Sequence, residues 1–390
     1  MNRRQALQAG VSLLIAPAVW GRRPSAQLWE SEFAAFVRAG LAQTHTPGLS
    51  VAIVRAGHTV FAAGYGLADV AAARPVTPDT AFHIASVSKV VTGTAMLLLL
   101  QQQRYQLDEP IGPYLDFPVR HPGFPDMPIT FRHLFTHTSG ISDVRYGQTA
   151  AFSVVGDPTL ALRDFLAGYL TPGGAWYAAA DCFTAAQPGQ QWQYSNVAIA
   201  LLGYLAGRVG PAPLEALTQQ QLFRPLGTRH TAWKVTDIPP QHLAKPYQWA
   251  EGQLLELPPT GYPDWPAGSL RTSARDFARL LEVFTHQGTS RHQQYLAPAT
   301  LHTFLAPQPA IEVVPGTSTI QQALIWLRRE VNGAPLASHS GGDPGADAVA
   351  CLDLAHHTGV LVFANATGTP AFRAFQKEVV LRLLDQATRA

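Results

Sequence analysis

Two sets of β-type runs stand at opposite ends of the chain, and together they limit its fold more than any other feature. Near the start, "LSVAIVRAGHTVFAAGYG" gives two β-rich runs around Ala56, Gly57 and His58, which predicts a hairpin. Near the end come "ALIWLRREV", "PLASHSGG" and "ADAVACLDLAHHTGVLVFAN", the last folding back around His356 to Gly359. Helices are predicted outside these runs, over about Ser31 to Ala42 and over Ala371 to Gln386. Between them, residues from Leu107 to about Thr260 are rich in Pro, Gly and short helical patterns such as Ala198 to Val209. The order predicts an α/β chain of the α+β type. One antiparallel sheet is built from both ends and flanked by terminal helices, with a mainly helical lobe inserted at about 107–260. Such an arrangement leaves a cleft where lobe and sheet meet, and sites favour such junctions.

The stretch "HIASVSKVVTGTAMLLLLQQQ", His83 to Gln103, places one of the chain's four lysines inside an apolar helix. From Val87 to Leu100 only Ser88, Lys89, Thr92 and Thr94 interrupt the apolar character, so the helix is expected to be buried on all sides. The uninterrupted part is too short for a bilayer span, which needs about 20 residues. Ser86 and Lys89 are three apart and share a helix face. At a helix start, unpaired N–H groups favour an oxyanion, and partial burial makes a lysine a better base. The pair suits an activated nucleophile, although an S-x-x-K match by itself is equally a solvated lysine beside a capping serine.

At 390 residues, 47% hydrophobic and 14% charged, the chain is globular rather than disordered. Its formal charge of +2 has no basic run behind it, which excludes a nucleic-acid footprint. The start, "MNRRQALQAGVSLLIAPAVWGRRPSAQ", pairs Arg3 and Arg4 ahead of a short apolar region and small residues. Residues 1–26 therefore read as an export signal of twin-arginine type, cleaved after Ala18 or Ala26, with the catalytic chain at 27–390 in the periplasm or outside the cell. Cys182 and Cys351 read as buried free thiols. His133 and His137 are four apart but lack a third ligand at a recognisable offset, so no metal or cofactor is expected.

Two further motifs fall where this architecture leads to the cleft. "QYSNVAIALLGYLAG" holds Tyr194, Ser195 and Asn196 just before a helical run, and "SHSGGDPG" holds His339, Ser340, Gly341 and Gly342 on a late strand. Singly, each has a bland structural reading. As an ordered set, Ser86-Val87-Ser88-Lys89, Tyr194-Ser195-Asn196 and His339-Ser340-Gly341 resemble the three motifs of the serine β-lactamase and penicillin-binding protein superfamily. The spacing is similar to the class C β-lactamase branch, which includes D-alanyl-D-alanine carboxypeptidases, D-amino-acid peptidases and family VIII esterases. "FRHLFTHTSGISD" and "WPAGSLRTSARDFARL" strengthen the resemblance and give His133, His137 and Ser139 structural roles.

The resemblance implies a β-lactamase/transpeptidase-like fold and a serine hydrolase. Ser86 would be acylated, Lys89 would accept its proton, and Tyr194 would share the proton traffic. Asn196 would bind an acyl-side amide, and the N–H groups of Ser86 and Gly342 would form the oxyanion hole, with Ser340 and Gly341 on the same substrate-facing strand. His339 stands where many relatives have lysine, and a neutral imidazole anchors a carboxylate poorly. The implied partner is a small ester or peptide, with an esterase or D-amino-acid peptidase ahead of a dedicated β-lactamase. The rival reading is a catalytically silent binder or sensor of cell-wall peptides.

Overall fold

The computed structural model describes residues 26–308, 312–314, 317–331 and 333–389. The export signal read at 1–26 lies, apart from Ala26, outside the described residues. The chain divides into two units, residues 1–36 and 37–390. What is described of the first is the opening of helix α1 (Ala26–Gln43), where Trp29 stacks on Phe33 with ring centroids 4.8 Å apart.

The second unit is built on the early hairpin. Strand β1 (Gly48–Arg55) turns through Ala56 and Gly57 into β2 (His58–Asp69). Both turn residues have positive φ, 46° and 81°, the twist that a two-residue hairpin loop requires. The late strands are β3 (Leu327–Val331), β4 (Ala334–Asp343), β5 (Ala346–Asp353) and β6 (Thr358–Ala364). One nine-stranded antiparallel sheet results, in the order Glu312–Val314, Thr317–Gln322, β3, β4, β5, β6, β1, β2, Arg74–Pro75. The two chain ends meet at its centre, where β1 pairs β6 from Leu49↔Ala364 to Arg55↔Thr358. This is the α+β sheet that the sequence predicts.

Strands β1, β5 and β6 are buried almost throughout because helices cover both faces. Of four further helices, α2 (Ser88–Gln103) and α3 (Asn196–Val209) pack on each other, while α4 (Ala274–Thr285) and α5 (Pro370–Arg389) lie on the sheet. Phe277 of α4 meets Phe363 of β6 edge-on at 5.6 Å. Helix α5 runs across β6 and β1. Helix α2 is buried from Ser88 to Leu100, as its apolar girdle requires, and packs against α3. Among the described residues, no single helix is long and apolar enough to cross a membrane. The stretch 107–260 contains short helices, including Phe131–Phe135 and Leu162–Leu170, besides α3. Cys182 and Cys351 are both buried free thiols.

The structure departs from the sequence reading in one run. "ALIWLRREV" is not one strand: Leu327–Val331 pairs in the sheet, but Ala323–Trp326 folds into a tight turn with Ile325 at φ 66°. The apolar side chains of that turn go down into the core instead. The Ile325 amide donates to the Phe135 carbonyl at 2.9 Å, and a Cβ at Gly93 of α2 would lie 2.6 Å from Ile325 Cγ1. The consequence reaches the site. β3 pairs β4 from Leu327↔Ser338 to Val331↔Ala334, so a strand continued backwards in this register would have set Trp326 opposite His339 and Ala323 opposite Gly342. Because the run turns away, β3 does not cover the edge of β4 from His339 onward.

Candidate active site

Ser86 is the middle residue of a 3-10 turn, Ala85–Val87, that leads directly into α2. The α-helix proper begins at Ser88, so Lys89 is in its first turn and Ser86 just ahead of it. Ala85 has φ 45°, a conformation that costs a residue with a side chain about 1 kcal/mol or more. The surroundings enforce it. The Ile84 amide donates to the Leu270 carbonyl at 3.1 Å, while the Leu270 amide donates to Ser88 Oγ at 3.0 Å, so the turn is fastened to residue 270 from both sides.

Ser86 is partly exposed, whereas Lys89 is fully buried. Lys89 Nζ lies 2.9 Å from Ser86 Oγ, 2.8 Å from Asn196 Oδ1 and 2.6 Å from the Ala267 carbonyl. An ammonium gives all three protons; a neutral amine gives two and keeps a lone pair. The amide and the carbonyl can only accept, so in the neutral amine the lone pair falls to Ser86, the one partner with a proton to give. The spacing of three residues supplies the reach. The other two contacts come from residues 107 and 178 positions away.

Asp143 fixes the Asn196 contact, and sequence reasoning missed it. One carboxylate oxygen accepts from Ser195 Oγ at 2.8 Å and the Val197 amide at 3.2 Å; the other accepts from the Asn196 amide at 2.7 Å and Asn196 Nδ2 at 3.0 Å. Since a carboxylate cannot donate, Nδ2 must face Asp143 and Oδ1 must face Lys89. The same bonds satisfy amides at the start of α3, where Ser195 is the N-cap and accepts from the Ala198 amide at 3.0 Å. Asp143 ends the quoted "HTSGISD", but nothing local marks it as a partner of a residue 53 positions on. The Ala267 carbonyl was missed for the same reason. It belongs to a 3-10 turn, Trp265–Ala267, preceded by buried Asp264, which accepts from the Tyr146 hydroxyl at 2.7 Å. Burial, opposed by that hydrogen bond, pushes the Asp264 carboxyl up to about 6.

Tyr194 lies beside these groups, its ring centroid 5.0 Å from Lys89 Nζ. Across from it runs the uncovered edge of β4. Gly341 lies against the backbone of the Ser86 turn: a Cβ there would collide with the Ile84 carbonyl and lie 2.8 Å from the Ser86 nitrogen. Only glycine lets the strand come this near. Gly342 and Ser340 are exposed on the same strand, and His339 is buried. His339 Nδ1 is 2.9 Å from the Ser340 carbonyl, which requires the proton on Nδ1. Burial, then the Lys89 charge, lowers its pKa to about 3, so the ring is neutral at ordinary pH. His133 has a local task. Its Nδ1 accepts from the Thr130 amide and its own amide donates to Thr130 Oγ1, closing a capping box on Phe131–Phe135.

Ser86, Asn196 and Tyr194, from the first two motifs, thus lie within hydrogen-bond or ring-contact distance of one buried lysine, and Gly341 of the third lies against the backbone of Ser86. A family model described as Beta-lactamase matches residues 33–385. The chain belongs to the beta-lactamase family. A Pseudomonas fluorescens relative named Beta-lactamase is 27% identical over 368 residues, covering 88% of this chain and 95% of its own. Esterase EstB of Burkholderia gladioli is 32% identical over 212 residues, 53% of this chain and 52% of that one, so the match spans about half of each. Among solved structures, D-amino acid amidase from Ochrobactrum anthropi has the same fold, with a TM-score of 0.72 at 21% identity over 93% of this chain and 99% of that one. EstCE1, described as a hydrolase with promiscuous acyltransferase activity, has a TM-score of 0.73 at 20% identity over 93% and 99%. In this beta-lactamase-family chain, Ser86 with Lys89, Tyr194 with Asn196, and the open edge of β4 come from three separate parts of the sequence.

Proposed function

We propose that this enzyme is an exported serine hydrolase that cleaves small esters or amides through an acyl-enzyme on Ser86, and that neutral acyl esters are its better substrates. The observation that carries the reading is Lys89 Nζ at 2.9 Å from Ser86 Oγ with its other two contacts limited to acceptors. As Oγ attacks the substrate carbonyl carbon, its proton passes to Lys89 Nζ, which accepts it in its unprotonated form. The carbonyl oxygen becomes an oxyanion held by the N–H groups of Ser86 and Gly342. Collapse breaks the bond to the alcohol or amine, which leaves with a proton relayed through Tyr194. Water then attacks the acyl carbon, Tyr194 and Lys89 take its proton, and the acid departs as Oγ is reprotonated.

The substrate preference is argued from His339 and from the relatives. A neutral imidazole beside the oxyanion strand gives a substrate carboxylate no fixed cation, so compounds that depend on one bind poorly. The esterase among the sequence relatives and the amidase among the structural ones agree with ester or amide cleavage. Export is supported by the paired arginines and apolar stretch at the N-terminus. The test is a panel of p-nitrophenyl acetate, p-nitrophenyl butyrate, a chromogenic cephalosporin and a D-alanyl peptide, followed by intact mass. Hydrolysis of the esters with an acyl adduct that vanishes in Ser86→Ala is expected. Neither product nor adduct on any substrate would leave the chain a silent binder, and a cephalosporin rate above every ester rate would overturn the preference.

A further inference from the structure

We propose that His137 is a positioning residue that sets the attitude of Tyr194 toward Lys89 and the acyl group. This rests on the reading of Tyr194 as the proton carrier. His137 holds the chain on both sides of that tyrosine. Its carbonyl accepts from the Gln193 amide at 2.7 Å, and its Nδ1 accepts from the Ser195 amide at 3.2 Å. Its ring lies over the Tyr194 ring itself, with centroids 4.5 Å apart and planes tilted by 31°. Trp192 meets the same imidazole edge-on at 6.1 Å. A single residue therefore contacts the preceding peptide, the following peptide and the phenol ring.

The backbone is bent to allow this. His137 has φ 58°, in the left-handed region that histidine and asparagine enter more readily than most residues. Accepting at Nδ1 requires the neutral ring with its proton on Nε2. Burial, followed by the charge of Lys89, lowers the ring's pKa well below the usual value, so the acceptor persists across the working range. Nε2 is buried and has no hydrogen-bond partner among the described residues. Here the bonded nitrogen and the ring face are both directed at residues 194 and 195.

The test is a double-mutant cycle on the full chain with p-nitrophenyl butyrate, combining His137→Asn with Tyr194→Phe. Asparagine tolerates the left-handed backbone but has no ring to stack. His137→Asn alone is expected to lower kcat by about tenfold or more with KM nearly unchanged, as loss of orientation does. In the Tyr194→Phe background it should change kcat by no more than about twofold, because residues acting through one another do not add. Should His137→Asn fail to fold, His137→Gly, which adopts a positive φ freely and lacks both ring and acceptor, enters the same cycle. If the two effects multiply, or if KM rises while kcat holds, the positioning role is wrong while the role of Tyr194 stands. If Tyr194→Phe alone is fully active, the reading of Tyr194 falls, and this proposal with it.

Discussion

Gly341→Ala tests the geometry of the site more directly than removal of a catalytic group. A Cβ at 341 would lie 2.8 Å from the Ser86 nitrogen and 3.0 Å from the Val87 nitrogen, besides colliding with the Ile84 carbonyl. Ordinary contact begins near 3.4 Å, so the strand and the Ser86 turn must part by about 0.6 Å against the amide and by more against the carbonyl. All the obstructing atoms are backbone, and the turn is fastened to residue 270, so neither side yields cheaply. A misplacement of about 1 Å costs about 10²-fold, equivalent to about 2.7 kcal/mol of transition-state stabilisation. We expect kcat/KM for p-nitrophenyl butyrate to fall by that factor while the cooperative unfolding transition survives. Gly342→Ala is the control, since its Cβ would meet nothing nearer than Arg373 Nη2 at 3.5 Å, and it should cost less than about tenfold. If Gly341→Ala retains more than a third of wild-type kcat/KM, or if Gly342→Ala is the worse of the two, β4 does not set the oxyanion site as described.

Lys89→Arg keeps the charge but cannot lose the proton, so acylation followed by mass should fall by at least about 10²-fold with the fold intact; near-normal turnover would return Lys89 to a structural role. Asp143→Asn places an amide donor against the N–H groups it now accepts from, and should both lower stability by about 2 kcal/mol and slow turnover by freeing the Asn196 amide; an unaltered denaturant midpoint would refute the clamp. His339 has a pH signature in stability. Its folded pKa, about 3, is below its ordinary value, so its contribution is complete above about pH 6.5 and is lost as pH falls toward 3. At pH 5 the loss is about 2 kcal/mol, and His339→Gln should flatten the decline between pH 7.5 and pH 5 by that amount. Buried Asp264 and Asp347, both pushed up to about 6, act with the opposite sign between about pH 4 and 6, so the difference between wild type and variant is the quantity to measure. Equal slopes would show that His339 is charged in the folded enzyme.

What the sequence by itself determined was whatever short-range pattern controls. Ser86 and Lys89 meet because three residues make a turn, the Ala56-Gly57 hairpin forms because two β-rich runs flank a loop of fitting twist, and α2 is buried because it is apolar all round. The ordered motifs also carried Tyr194, Asn196 and the β4 residues. Only the tertiary structure decided what holds these groups in place. Asp143 is 53 positions from the Asn196 it orients, and Ala267 is 178 positions from Lys89; contacts at such distances leave no periodic trace in the chain. The run "ALIWLRREV" shows the limit most clearly, because its β propensity is real throughout. Its first four residues nevertheless leave the sheet, since Ile325 fills the space above Gly93 of α2, and propensity is weaker than burial where the two compete. That turn keeps β3 off the edge of β4 beside Ser86, where a continued strand would have closed it.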